Sequence, residues 1–420
     1  MTRRRFLALM AGLALLPRVA FAQNGAKTAK EDAPDTPVLD VIVATDLHYI
    51  ARELTDNGAF FTQLAENGDG KVMLYSEELI DAFTRQVIRR KPDVLILTGD
   101  LTFNGERVSH ERLAEKLARV AESGIRVLVI PGNHDLNMRI AARYEGNGYE
   151  LIPSVTADEF RAIYGAFGYD AALSQDAHSL SYTAQLSPGL RALFVDVNGV
   201  AKPGSVPQET LAWIDEQLKD AKQSGARVIA ASHQNLLNHN ALLYIGFTID
   251  NAGALVSRFE KAGVLLNLSG HIHMQHIVAG ALPDIATSSL AVSPNQYGVL
   301  SVYADRIEYQ TEPLDVSAWA AANGLTDENL LGFSAYSARF FREIALRQSL
   351  ASIAQDENPE QLADFTARVN AAYFAGRMDL IELDRDLLAR WGAQSAFFSL
   401  YLDALVKEGQ RDMTKLRIDL

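Results

Sequence analysis

Residues 126–135 read RVLVIPGNHD, an unbroken apolar run that empties into a Pro-Gly-Asn-His-Asp turn. The run has no polar alternation, so both faces of the strand it predicts should be buried. The same two-part pattern recurs outward from this stretch: DVIVATD at 40, DVLILTGD at 93, RALFVDV at 191, ARVIAAS at 226 and GVLLNLS at 263. Helical patterns lie between several of them, at 76 (SEELIDAFTRQVIRRK), 109 (SHERLAEKLARVAESG) and 207 (PQETLAWIDEQLKDAKQSG). Thr156 with Glu159 forms a capping-box signature before Phe160. The alternation predicts a layered α/β domain over residues 38–313, with mixed β-sheets flanked by helices. GVLSVYADRIEYQT at 298 reads as a hairpin-like pair around Ala304-Asp305, closing the domain with antiparallel strands.

After Pro313 the strand patterns give way to amphipathic stretches at 335, 359 and 380. Residues 314–420 are therefore expected to form a smaller all-α C-terminal domain, docked through a seam of Leu380, Leu383, Leu387 and Trp391. At the other end, residues 1–22 combine a basic tip, an apolar run from Phe6 to Leu16 and Ala20-Phe21-Ala22, the layout of a removable export signal. Thr2-Arg3-Arg4-Arg5-Phe6-Leu7 resembles a twin-arginine signal, with general secretory export as the alternative. Residues 23–37 look like a flexible lead-in. The expected location is periplasmic or extracellular, with no transmembrane segment in the mature chain.

The chain has no cysteine, which excludes disulfides and thiolate metal sites and leaves nitrogen and oxygen as the only metal donors. Removing residues 1–22 takes away Arg3, Arg4, Arg5 and Arg18 and no acid, moving the net charge from −13 to −17. Such a surface repels nucleic-acid polymers and suits a small substrate better.

The residues that follow the strands carry the chemistry. They are Thr45-Asp46-Leu47-His48, Gly99-Asp100, Gly132-Asn133-His134-Asp135, Ser232-His233 and Gly270-His271-Ile272-His273. In a sheet of this class the strand ends converge on one crevice, and the glycines suit the tight turns there. Carboxylate, amide and imidazole together fit two divalent or mixed-valence ions such as Mn, Fe or Zn, with Asp100 the candidate bridge. Alternate residues of an extended segment point one way, so Asp46 with His48, and His271 with His273, are expected to converge from one strand end each.

In order and spacing these motifs resemble the calcineurin-like metallophosphoesterase superfamily (D-x-H, GD, GNH[DE], H, GHxH), over residues 38–310. The resemblance implies one metal on Asp46, His48, Asp100 and His273, a second on Asp100, Asn133, His233 and His271, and His134 as the catalytic histidine. It implies a phosphoesterase in which a metal-bridging hydroxide attacks phosphorus in line with the leaving oxygen. Phe103 stands three residues after Asp100, where purple acid phosphatases have a tyrosine ligand and serine/threonine phosphatases an aspartate that pairs with the catalytic histidine. Neither subfamily fits, and what orients His134 is left open, with Asp135 an uncertain partner. GDLTFNG at 99, the insertion LTDNGAFFTQLAENGDGK at 54 and the helical C-terminus look more like the extracytoplasmic cyclic nucleotide phosphodiesterases of bacteria. The alternatives are a phosphomonoesterase or nucleotidase on the same site, and a binding protein with an inactive domain.

Other polar residues have plainer readings. His239 lies on a loop expected to rim the site, as a substrate contact or a solvated residue. Asn104 either contacts phosphate or shapes the turn before Gly105. His276 is out of phase with His273 and is expected at the surface or behind the ligands, while His110 and His178 read as ordinary surface residues. Asp56-Asn57-Gly58 and Asp69-Gly70 read as turns that shape the insertion, with calcium binding the weaker alternative.

Overall fold

The apolar runs all form strands, at Leu39–Ala44, Val94–Leu97, Arg126–Val129, Leu190–Val195, Arg227–Ser232 and Asn267–Ser269. They belong to a computed structural model that describes residues 36–420. The expected signal over 1–22 and nearly all of the lead-in lie outside the described residues. The first three strands run parallel in a six-stranded sheet. Gln296–Val302 and Arg306–Pro313, the expected hairpin, continue that sheet antiparallel from Leu39–Ala44. The other three strands form the parallel centre of a seven-stranded sheet. Ser76–Arg90, Arg107–Glu122 and Gln208–Gln223 form where the amphipathic patterns predict. The capping box of Thr156 and Glu159 is complete.

Alternation along the strands divides the interior. On Leu190–Val195, Ala192 and Phe194 join the main core with Ile42 and Ile96 of the first sheet. Leu193 and Val195 point the other way, into a separate cluster with Leu211, Ile214 and Phe259 from the helices covering that face. Ligand-bearing turns thus leave strands that are locked on both faces.

The C-terminal region is helical, with Phe333–Leu350, Pro359–Phe374, Arg385–Gln394 and Ala396–Glu408 its main helices. It departs from an all-α domain at its end: Lys415–Asp419 is a strand paired antiparallel with Arg306–Pro313. Leu416, Ile418 and Leu420 pack against the main core, and this period-2 pattern is a strand signal. Nor does the region keep a core to itself. Val316, Phe333, Phe340 and Ile344 belong to the main core. A further cluster joins Leu387 and Trp391 to Ile272 and Met274, residues interleaved with His271 and His273. Leu383 packs at the edge of that seam, but Leu380 is 66% exposed and takes no part in it.

Candidate dinuclear metal centre

The strand-end residues meet in two groups that share Asp100. Asp46, His48, Asp100 and His273 make one, and Asp100, His233 and His271 the other. Asn133 joins the second group, its Oδ1 lying 3.0 Å from His233 Nε2. Asp100 divides its two oxygens between them, with Oδ2 3.7 Å from His48 Nε2 and Oδ1 3.2 Å from His233 Nε2. Within the first group His48 Nε2 lies 3.1 Å from His273 Nε2, and Asp46 Oδ1 lies 3.4 Å from His273 Nε2 and 3.8 Å from His48 Nε2. Bonds of about 2.1 Å at angles of about 90–120° put neighbouring ligand atoms roughly 3.0–3.7 Å apart. These spacings are those of a coordination shell.

Two further observations favour cations. Asp46 Oδ1 is buried without a hydrogen-bond donor, a state a carboxylate oxygen tolerates when a positive ion faces it. The imidazoles are also turned for ligation. His233 Nδ1 donates to the Thr98 carbonyl at 2.9 Å and His271 Nε2 to the Gly246 carbonyl at 2.8 Å. The opposite nitrogen of each is held clear of the backbone and is available to an ion. Burial, with the charge of Lys71, holds His48 well below the usual imidazole range, and burial next to His233 takes His271 down to about 4. Burial alone would raise Asp100, yet His233 and His134 hold it well below the usual carboxylate range. His48 and His271 are thus neutral beside an ionised Asp100, as metal binding requires, whereas at His233 burial is overcome by Asp100 and Asp46, which pull it up to about 9, so that an ion entering there would displace its proton.

The convergence is not achieved by an extended segment. Asp46, His48, Asp100, His271 and His273 all have positive φ, from 44° to 70°. A left-handed backbone is costly for non-glycine residues and concentrates at functional sites. Here each such residue turns its side chain into the centre individually, which corrects the expectation of alternate residues on a strand end. The motif glycines serve partly as turns and chiefly as clearance. Gly99 has φ +98°, and a Cβ there would meet His233 Nδ1 at 2.6 Å. A Cβ at Gly132 would lie 2.2 Å from Asp100 Oδ1, and one at Gly270 would lie 2.0 Å from Thr45 Oγ1.

His134 stands at the edge of both groups, its ring 5.0 Å from that of His48 and its backbone N–H donating to Asp100 Oδ1 at 2.8 Å. What orients it is a main-chain carbonyl: Nδ1 donates to Phe103 O at 2.9 Å, with Asn104 Oδ1 at 3.3 Å. Nε2 is left for substrate. Asp135 points elsewhere, accepting from the backbone N–H groups of Leu101, Thr102 and Gly132 at 3.1, 2.9 and 2.8 Å, so that it ties the second and third strand exits together.

Several plainer readings change. His110 is buried, bonded to the Tyr164 hydroxyl at 2.9 Å and the Asp135 carbonyl at 3.0 Å, because a helix face that looks solvated in sequence is covered by Ala157–Ile163 and the turn after it. His239 does not rim the site. It is buried, with Nε2 3.2 Å from Asp284 Oδ2 and Nδ1 3.0 Å from His276 Nδ1. His276 lies outside both groups and is buried too, reaching Glu408 at 3.2 Å. His178 is exposed. Asn104 sits beside His134, with Gly105 at φ +70° behind it. The turn at Asp56 shapes the insertion, its Oδ1 accepting from Gly58 N–H at 2.7 Å. Asp69 does more than form a turn, lying 2.9 Å from Lys71 Nζ and 3.7 Å from His273 Nδ1. Nothing local signals that return.

A family model described as calcineurin-like phosphoesterase matches residues 39–275, and one described as the C-terminal domain of cyclic nucleotide phosphodiesterase matches residues 315–412. The chain is 24% identical over 247 residues to a probable glycerophosphodiester phosphodiesterase of Arcobacter nitrofigilis, covering 57% of this chain and 78% of that protein. It is 40% identical over 55 residues to a probable cyclic nucleotide phosphodiesterase of Vesicomyosocius okutanii, covering 13% of this chain and 22% of that one. Among solved structures, a dimetal phosphatase from Danio rerio aligns with TM-score 0.49 and 15% identity over 66% of this chain and 96% of its own. The first family match spans more than half the sequence and takes in every ligand segment. On that ground the chain belongs to the calcineurin-like phosphoesterases and is a metal-dependent phosphoester hydrolase.

Proposed function

We propose that this chain is an exported phosphodiesterase for small diesters, with cyclic nucleotides as the leading substrate class. The observation that carries the reading is Asp100, whose two oxygens serve two ligand groups while its Oδ1 also fixes the backbone of His134. Ions held there would supply Lewis acidity towards the phosphoryl oxygens and lower the pKa of water. The remaining work falls to side chains. Asp46, His48, Asn133, His233, His271 and His273 complete the two shells with Asp100. His134, with its Nδ1–H committed to Phe103, faces the leaving oxygen through Nε2, which gives a proton or a hydrogen bond in the imidazolium form.

The cyclic nucleotide preference is supported by the description of the family matching residues 315–412 and by the Vesicomyosocius relative. A second reading, glycerophosphodiesters, is favoured by the name of the Arcobacter relative. The test is turnover of cyclic nucleotides, glycerophosphodiesters and nucleoside monophosphates by the purified chain loaded with Mn, Fe or Zn. Diesters should be cleaved ahead of monoesters, and the reverse order would overturn the reading in favour of a phosphomonoesterase. Export rests on residues 1–22. Replacing Arg3 and Arg4 by lysine should retain the protein in the cytoplasmic fraction; unchanged export would exclude the twin-arginine route.

A further inference from the structure

Beside His134 opens a cleft of about 650 Å³ that the metal ligands do not account for. Its lining is dominated by rings: Phe60, Phe61, Phe103, Tyr144 and Tyr149, with His134 and Asn104 at one end. Phe60 lies 5.3 Å from Tyr149 and 6.2 Å from Tyr144, the latter pair inclined by only 18°. Large apolar side chains lie exposed around it, Tyr149 at 59%, Leu151 at 60% and Ile140 at 56%. Apolar surface left in water on a concave wall is a mark of a binding site.

The walls come from two segments held to each other. Thr55 bridges to Tyr144, Asp56 Oδ2 accepts from Gly146 N–H at 2.9 Å, and Phe60 N–H donates to the Gly146 carbonyl at 3.1 Å. The cleft is thereby formed before any ligand arrives. Arg139, exposed and without a carboxylate partner among the described residues, stands in the lining, whereas Lys71 there is neutralised by Asp69. In a chain of net charge −13 Arg139 marks where an anion would approach.

We infer that this cleft is a stacking subsite for a planar aromatic group carried by the substrate, a nucleobase, with Tyr149 and Phe60 as specificity-determining residues. The inference deepens the phosphodiesterase reading and rests on it. His134 is both the proposed donor to the leaving oxygen and part of the cleft wall, so a phosphoryl group at the metal centre puts one substituent at the cleft mouth. Aromatic walls select a base, whose π-face stacks on them, over a glycerol, which has none. Stacking on an aromatic side chain changes affinity on the order of 10–100-fold per base.

The test combines binding with turnover in the full chain. Adenosine, which has no phosphate to cleave, should bind the wild type by calorimetry and bind Tyr149→Ala at least about 10-fold more weakly. Tyr149→Phe, which keeps the ring, should restore it. In turnover, the ratio of kcat/KM for cyclic AMP to that for a glycerophosphodiester should fall in Tyr149→Ala through KM. Absence of adenosine binding, binding indifferent to Tyr149→Ala, or competition by an alkyl phosphodiester alone would overturn the subsite. Failure to cleave any diester while adenosine still binds through Tyr149 would instead count against the phosphodiesterase reading alone.

Discussion

Two buried histidine pairs can be set side by side. His48 and His273 approach to 3.1 Å through Nε2, and His239 and His276 approach to 3.0 Å through Nδ1. Each pair has carboxylates beside it. Around His48 and His273 the acids converge on one point, leaving Asp46 Oδ1 without a donor. The other pair is strung in a line, Asp284 to His239 to His276 to Glu408, its first link a 3.2 Å approach of His239 Nε2 that is not aligned as a hydrogen bond, with Glu408 also accepting from the Tyr373 hydroxyl at 3.3 Å. Asp284 is further held by the N–H groups of Leu236 and Leu237. The first arrangement suits a cation and the second suits shared protons. Residue content does not separate them; convergence does.

The distinction breaks most visibly at Asp100. Asp100→Asn should lower turnover by more than the roughly 10–100-fold typical of groups that only support a ligand. Metal content measured by elemental analysis should fall while circular dichroism stays native, and full activity with full metal would refute the shared-ligand assignment. His134→Ala should cost about 10²–10⁴-fold on a poor leaving group with metal content unchanged. A nitrophenyl ester, needing less proton donation, should lose less; an equal loss would reassign His134 to charge stabilisation. Trp391→Ala, fully buried in the cluster behind His271 and His273, should lower unfolding free energy by about 3–5 kcal/mol in denaturant titration.

On the proton-sharing side, His276→Ala should cost about 1–3 kcal/mol of stability by removing the partner of His239 Nδ1 and of one Glu408 oxygen, with metal content intact. Loss of metal would place this line in the coordination sphere after all. Glu106 gives the smallest and sharpest contrast. It too has a buried oxygen without a donor, Oε1, but no histidine converges on it, and burial pushes its carboxyl up to about 7. At Asp46 burial pushes the same way, yet His273 carries the balance below the usual range. The raised pKa of Glu106 favours the uncharged form, so its contribution is full below the ordinary carboxylate range and is lost as pH rises through about 7. Glu106→Gln should therefore gain stability over the wild type, on the order of 1 kcal/mol, between about pH 5 and pH 8. A flat difference across that range would show that Glu106 titrates normally.

What the sequence made legible follows from range. The strands announced themselves as continuous apolar runs, and the ligands as polar residues at their exits, so local pattern sufficed for both. The left-handed φ of Asp46 and His48 was not legible, because no residue type there demands it. His110 and His239 were misplaced because their covers, Tyr164 and Asp284, are 54 and 45 positions away. Leu416 and Ile418 carried a strand alternation, but the partner that makes it a strand ends at Pro313. The aromatic cleft depends on two segments meeting, and neither alone has an inside.

The turn that holds His271 and His273 has a second side. Ile272 and Met274 sit in the cluster of the C-terminal helices, and Gln275 N–H donates to the Phe374 carbonyl at 3.0 Å. Thermodynamic reciprocity then binds two equilibria together: whatever free energy the docked helices lend to ion affinity, ion binding returns to docking in equal measure. Amide hydrogen exchange in Pro359–Phe374 becomes a gauge of occupancy at a centre that none of its residues touches.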